Sequence, residues 1–180
     1  QVGEAYILLK NTLRDNPDHL PSKLLMGRIL LIDGFILDAI DEFEESLQLG
    51  ADKNLALPYL STAYLMQGEY DLVVNLADSQ SISTETKIAL KLNAASAYIR
   101  QNKPTEAESE YQQILKLSPN NLVVVSAYAD MLISVGNLDG AEDLLLGYRT
   151  KIPSSAVLLH AFGKLQHARG QKEEALETFK

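Results

Sequence analysis

A small residue recurs every 34 residues along this chain, and this interval constrains the fold more than any other feature. The series is Ala5, Ala39, Val73, Ala107, Ala141 and Ala175, with valine as its one departure from alanine. A fixed interval of this length is typical of stacked helical hairpins, in which each unit buries its apolar face against its neighbours. The interval therefore predicts an all-α fold of repeated helix-turn-helix units.

Other positions keep the same register when residues 20–53 are counted as one period. Position 8 is always small, position 15 is glycine or asparagine, and position 24 is usually large and apolar. These series are Gly27, Ser61, Ala95, Ala129 and Gly163; Gly34, Gly68, Asn102, Gly136 and Gly170; and Leu9, Phe43, Ala77, Tyr111, Leu145 and Phe179. Small residues allow helices to approach closely, and glycine or asparagine turns the chain after a helix end. Proline at position 32, in Pro17, Pro119 and Pro153, is expected to end a hairpin.

These positions resemble the signature of the tetratricopeptide repeat over nearly the whole chain. Tyr64 and Tyr98 also match the family's tyrosine at position 11, whereas the tryptophan often found at position 4 is absent. The resemblance implies a right-handed α-solenoid that forms one domain. Four complete repeats are predicted, at residues 20–53, 54–87, 88–121 and 122–155. Residues 1–19 are predicted to be the second helix of a truncated repeat, and residues 156–180 a repeat that is truncated in its second helix.

The repeat at 54–87 departs from the pattern. A polar run with weak helix preference follows Ala77, so its second helix is predicted to be short. Ser83 or Thr84 can cap a new helix that begins near Glu85 and extends through Arg100. Pro58 is expected near the start of its own helix, where a missing N–H is tolerated. The departure is explained either by repeat drift or by a local change of curvature or a partner contact.

Both ends of the sequence fall inside repeats. Residues 1–17 fit a second helix without its first, and residues 171–180 stop within another second helix. Terminal repeats normally present a polar outer face, whereas Tyr6, Leu9 and Leu13 suggest an apolar one at the front. We therefore expect that further repeats flank this segment, or that the exposed ends pair between copies.

A narrower resemblance is to the tetratricopeptide lipoproteins of bacterial exosortase and exopolysaccharide systems. It rests on residues 49–52 (LGAD), 57–60 (LPYL), 63–65 (AYL) and 67–71 (QGEYD). The resemblance implies a bacterial periplasmic or envelope location, and a role in export of polysaccharide or sorting of surface proteins. Without it, a cytoplasmic location is expected.

Composition and motifs argue against catalysis, cofactors and nucleic acid. The chain has net charge −8, a pI of about 4.9 and no cysteine, and its basic residues are isolated, which disfavours phosphate binding. No stretch is apolar enough to enter a membrane directly. His160 and His167 lie seven residues apart, about 10 Å along a helix, too far for one metal ion. Since no phosphate loop or nucleophile elbow occurs, we predict no enzyme, cofactor or metal site.

The predicted function is that of a protein-interaction scaffold. In the family, first helices line a groove, and here the first fifteen positions of the five periods hold six basic and two acidic residues, against ten and 22 elsewhere. The candidate groove residues are Arg28, Tyr59, Asn93, Arg100, Asp130, His160 and Lys164. They suit a protein or peptide segment bearing carboxylates, although acidic residues also favour solvated outer faces without any function.

One known ligand-binding mode of the family is excluded, and two alternatives to the groove remain open. The family's clamp for C-terminal carboxylates is absent, because Leu24, Arg28, Tyr59, Ala89 and Asn93 occupy its positions. The chain could instead be the regulatory or substrate-recognition domain of a larger enzyme. Alternatively, the outer face or the open ends, rather than the groove, make the partner contact.

Overall fold

The computed structural model describes residues 2–152 and 154–171. Every regular element among them is a helix, which confirms the all-α class. The helices are α1 (Val2–Asp15), α2 (Leu20–Ile32), α3 (Ile36–Gln48), α4 (Lys53–Gln67), α5 (Tyr70–Ala77), α6 (Thr84–Arg100), α7 (Pro104–Leu117), α8 (Leu122–Ser134), α9 (Leu138–Arg149) and α10 (Ala156–Ala168). The predictions made for Pro153, Ala175, Phe179 and a second helix over 172–180 lie outside the described residues.

The helices fall into two compact units, residues 1–101 (unit 1) and residues 102–180 (unit 2). In unit 1, α2 packs on α3 and α4 on α5 as hairpins, and the first helices α2, α4 and α6 contact one another in that order. In unit 2, α8 packs against α7, α9 and α10, and α9 packs against α10. Each unit is therefore built of helices stacked in hairpins, as the repeat pattern predicts.

The recurring small residues lie in the interior. Ala39, Val73, Ala107 and Ala141 are completely buried. At position 8, Gly27 lies so close to the ring of Phe43 that an added Cβ would be 2.8 Å from it. Close packing between the helices is thus the physical reason for the small residues in these two series.

The position-15 residues adopt the left-handed conformation that was predicted for them. Gly68 has φ +89° and ends α4, with its N–H donating to the carbonyl of Leu65 and the following N–H, that of Glu69, donating to Tyr64. Asn102 has φ +58° without being glycine, which suits asparagine better than most residues. These turns end the first helix of each hairpin.

The irregular repeat has the short helix and the cap that its sequence predicts. Helix α5 has only eight residues, and the Ser83 hydroxyl accepts the N–H of Thr86 at 3.1 Å to begin α6. The prediction for Pro58 was wrong, because Pro58 lies inside α4. The carboxylate of Asp52 accepts the N–H of Asn54 at 2.8 Å and starts the helix at Lys53, well before the proline.

Among residues 2–152 and 154–171, no helix combines the length and the apolar character required to cross a bilayer.

Candidate interaction surface

The exposed sides of α2, α4 and α6 form the candidate surface of unit 1, which we call the first-helix face. It consists of Leu25, Arg28, Leu55, Tyr59, Asn93 and Arg100. Along α2, Leu25 and Arg28 are three residues apart and exposed, whereas the intervening Met26 and Gly27 are buried. The period of the helix therefore separates a core-facing side from a side that is available to a partner. Leu25 and Leu55 remain 42% and 58% exposed, so this face is partly apolar.

An aromatic pair supports the centre of this face. Tyr59 stacks on Phe43 with ring centroids 5.9 Å apart and an angle of 14° between the planes. Phe43 is completely buried, and it fits there because Gly27 offers no side chain. The guanidinium of Arg28 lies over the Tyr59 ring, 5.0 Å from its centroid, at a distance typical of a cation–π contact. The buried Gly27 and Phe43, both on the repeat series, therefore support the contact between Tyr59 and Arg28.

Asn93 is fixed by hydroxyl groups of the neighbouring helix. Its Nδ2 donates to Ser61 Oγ and to Thr62 Oγ1, each at 3.1 Å. The Thr62 hydroxyl donates its one proton to the carbonyl of Pro58 at 2.9 Å, so towards Asn93 it can only accept. This determines that the amide nitrogen faces α4. The Asn93 Oδ1 accepts from no described residue and is left as an acceptor.

Arg28 and Arg100 differ from the other basic residues at the first fifteen positions of each period. Both are exposed, and neither forms an ion pair with any described residue. Lys23, by contrast, is buried with its Nζ 2.7 Å from Glu45 and 3.5 Å from Glu42. Among the candidate residues of unit 1, these two arginines are therefore the cations that are available to pair with a ligand.

Burial and pairing have opposite effects on the ionisation of the Lys23 site. Burial alone would lower the pKa of Lys23, but the hydrogen bond that its ammonium donates to Glu45 and the charges of Glu42 and Glu45 outweigh it and raise that pKa. Burial raises the pKa of Glu42, and the nearby ammonium of Lys23 offsets this only in part. A charged Lys23 is thus held in the structure by carboxylates of the second helix, and its charge is not available to a partner.

The predicted site residues of unit 2 form a separate group. Lys164 Nζ lies 2.7 Å from Asp130 Oδ2, with both side chains about 40% exposed. His160 is exposed on the same helix as Lys164. Arg169 pairs with Asp139 at 2.7 Å and with Glu142 at 2.8 Å. The positive balance that the sequence places on these first helices is therefore largely neutralised by ion pairs within the unit.

The sequence analysis missed the groups that position the candidate residues. Gly27 and Phe43 were treated only as packing positions, yet they support Tyr59. Ser61 and Thr62 orient Asn93 from one period earlier in the chain. The repeat register could have indicated both, because it places positions 8 and 9 of one period beside position 6 of the next. In the described part of the chain, no group of three or more histidine or acidic side chains is placed to hold a metal ion.

Comparison with known proteins gives this arrangement a family context. Residues 98–158 match the family model described as Tetratricopeptide repeat. The fold is that of the tetratricopeptide repeat. A tetratricopeptide repeat protein of Parabacteroides merdae superposes with a TM-score of 0.73 at 17% identity, covering 98% of this chain and 70% of that one. YrrB, described as a TPR protein with an unusual peptide-binding site, superposes with a TM-score of 0.56 at 15% identity, covering 94% and 88%.

A curated relative matches part of the sequence. The chain is 26% identical over 99 residues to DnaJ homolog subfamily C member 3 of Gallus gallus. The match includes 55% of this chain but only 20% of the relative's length. At these identities the structural comparisons show the fold, and the family match supports tetratricopeptide repeats, whose proteins generally act as non-catalytic scaffolds that bind protein or peptide partners.

Proposed function

We propose that this chain is a non-catalytic scaffold that binds a segment of a partner protein on the first-helix face of unit 1. The observation that supports this best is the fixed orientation of Asn93, whose Oδ1 is left as an acceptor on a face that also carries two exposed arginines. An acceptor held in place in this way can bind a backbone N–H of a peptide without a further ordering cost. YrrB, which is described as having an unusual peptide-binding site, is a precedent for peptide binding on this fold.

The chemistry of the face indicates what kind of segment it binds. Leu25 and Leu55 offer apolar contacts, Tyr59 offers an aromatic ring, and Arg28 and Arg100 offer guanidinium groups to carboxylates. The proposed ligand is therefore an apolar segment bearing acidic residues. In unit 2 we propose Asp130, His160 and Lys164 as additional contacts, with Asp130 and Lys164 contributing little net charge as a pair.

A selection of peptides tests this function. Random displayed peptides are selected on the purified chain, and the dissociation constant of the best one is measured by fluorescence anisotropy. The double variant Arg28→Glu/Arg100→Glu should weaken binding about 10- to 100-fold, because it replaces attraction with like-charge repulsion. Lys103→Glu/Lys116→Glu is the control, since it changes the net charge equally at two exposed lysines of unit 2 and should leave the affinity unchanged.

Two results would reject the proposed site. One is selection of peptides without acidic residues, and the other is equal affinity of the two double variants. If either result is obtained and a peptide still binds the chain tightly, the chain is a scaffold whose ligand contacts another surface.

The narrower resemblance of residues 49–71 motivates a specific setting. We propose that the partner belongs to polysaccharide export or to sorting of surface proteins in a bacterial envelope. Immunoprecipitation of the full-length protein from the membrane fraction should then recover components of such a system, reduced by Arg28→Glu/Arg100→Glu. Recovery of an unrelated partner would reject the setting and retain the scaffold. The second candidate is a recognition domain of a larger enzyme; it requires a longer chain, as in the curated relative, of whose length the match covers 20%.

A further inference from the structure

Phe35 occupies a position in which it contributes little to folding. It is the residue that precedes α3, the N-cap, and its side chain makes no hydrogen bond to the helix. Short polar residues are favoured at this position because they accept an otherwise unpaired N–H. Among the described residues, five other helices begin with such caps, namely Asp52, Ser83, Asn121, Asn137 and Ser155. The Phe35 ring is also 58% exposed, so it adds little to the core.

Two clefts in unit 1 meet at this residue. One has a volume of about 350 Å³ and is lined by Gly3, Tyr6, Leu30, Asp33, Phe35 and Asp38. The other has a volume of about 370 Å³ and is lined by Gly34, Phe35, Ile36, Leu37, Asp38 and Gln67. We call these residues together the Phe35 turn surface. Phe35 lines both clefts and Leu37, which is 61% exposed, lines the second, so both clefts offer apolar area at their rims.

The charged side chains that line these two clefts are both acidic. Asp33 and Asp38 line the clefts, are exposed, and form no ion pair with any described residue. No lysine or arginine is present among the described lining residues of either cleft. Two unpaired carboxylates beside an exposed aromatic ring complement a ligand that is both cationic and apolar.

We propose that the Phe35 turn surface binds a cationic, apolar segment of a partner protein. An apolar side chain of the segment enters the cleft between Phe35 and Tyr6, and a lysine or arginine pairs with Asp33 and Asp38. This surface lies at the turn between α2 and α3, and it prefers the opposite charge from the first-helix face.

A change at Phe35 separates binding from stability. The probe is a synthetic amphipathic helix of leucine and lysine, compared with a leucine–glutamate and a glutamine–lysine counterpart. Phe35→Asn should reduce affinity for the leucine–lysine peptide about tenfold or more, as removal of an aromatic anchor does. The Tm should not fall, because asparagine is a favoured N-cap. Val123→Asn, which removes an apolar side chain of unit 2 that is 70% exposed, should leave the affinity unchanged.

The charge requirement is tested with isosteric amides. Asp33→Asn/Asp38→Asn should weaken binding of the leucine–lysine peptide, whereas Glu106→Gln/Asp143→Asn, with the same change of net charge at exposed sites of unit 2, should not. Equal loss in the two double variants would overturn the proposal, since it would indicate general attraction to an acidic protein. Equal binding of the glutamine–lysine peptide would also overturn it. So would sedimentation showing a dimer that Phe35→Asn converts to a monomer, because the occupant would then be a second copy.

Discussion

The replacement Gly27→Ala tests whether the repeat's small residue supports the first-helix face. An alanine Cβ at this position would lie 2.8, 2.9 and 3.1 Å from three atoms of the Phe43 ring. The ring is completely buried and stacks on Tyr59, so it has little freedom to move away. Overpacking of this kind costs about 1–3 kcal/mol of unfolding free energy. Alanine is favoured over glycine within a helix by about 1 kcal/mol, so a net loss of about 0–2 kcal/mol is expected.

A second glycine provides the matched control. Gly147 lies inside α9, is exposed, and has no atom within 4 Å of an added Cβ. Gly147→Ala should therefore show the helix preference alone and stabilise the chain by up to about 1 kcal/mol. The two variants should differ by about 1–3 kcal/mol in urea unfolding followed by far-UV circular dichroism. Equal stabilisation by both replacements would refute the idea that Gly27 is required to seat Phe43.

Three other predictions follow from single contacts. Asn93→Ala should lower the free energy of unfolding in urea by about 1–3 kcal/mol, because it leaves the buried Ser61 hydroxyl without its partner. It should also weaken peptide binding. Unchanged stability would contradict the contact. Gly68→Ala should cost about 1–2 kcal/mol from backbone strain alone, since φ is +89° and the surrounding space is open; a neutral effect would contradict this. Burial and the hydrogen bond to Glu108 raise the pKa of Tyr128 to about 12. The contribution of Tyr128 to the free energy of unfolding should therefore be fully present below about pH 10 and be lost as the pH rises towards 12. In unfolding measured across this window, Tyr128→Phe should reduce this loss. An unaltered slope would exclude Tyr128 as its source.

The repeat register predicted the fold well because local chemistry determines the relevant residues. The left-handed turn at Gly68, the cap at Ser83 and the burial of Ala39 depend on interactions within a few residues or within one hairpin. Because the interval is fixed, equivalent residues form the same local structure in successive repeats. The start of α4 escaped prediction because a cap at Asp52, outside the repeat as counted, began the helix earlier and left Pro58 in its interior.

The charge of the candidate site could not be obtained from a sum over the first helices. Lys23 is neutralised by Glu45, which is 22 residues away in the next helix. Lys164 is neutralised by Asp130, which is 34 residues away at the same position of the preceding period. A sum over sequence positions includes these lysines, whereas a ligand meets only the charge that remains unpaired. The candidate cations in unit 1 therefore reduce to Arg28 and Arg100, which have no ion-pair partner among the described residues.

The two proposed surfaces use positions that the repeat pattern leaves free. Positions 8, 15, 20 and 24 are restricted by packing or by backbone conformation, so their residues report on the fold. Position 16, just before the second helix, is Phe35, Glu69, Lys103 and Asn137 in successive hairpins, and of these only Asn137 caps its helix. Packing therefore does not restrict which residue type occupies position 16, and helix capping accounts for the residue type only at Asn137. An exposed phenylalanine there opposes both helix capping and the tendency of aromatic rings to be buried, so a binding role explains Phe35 better than folding does.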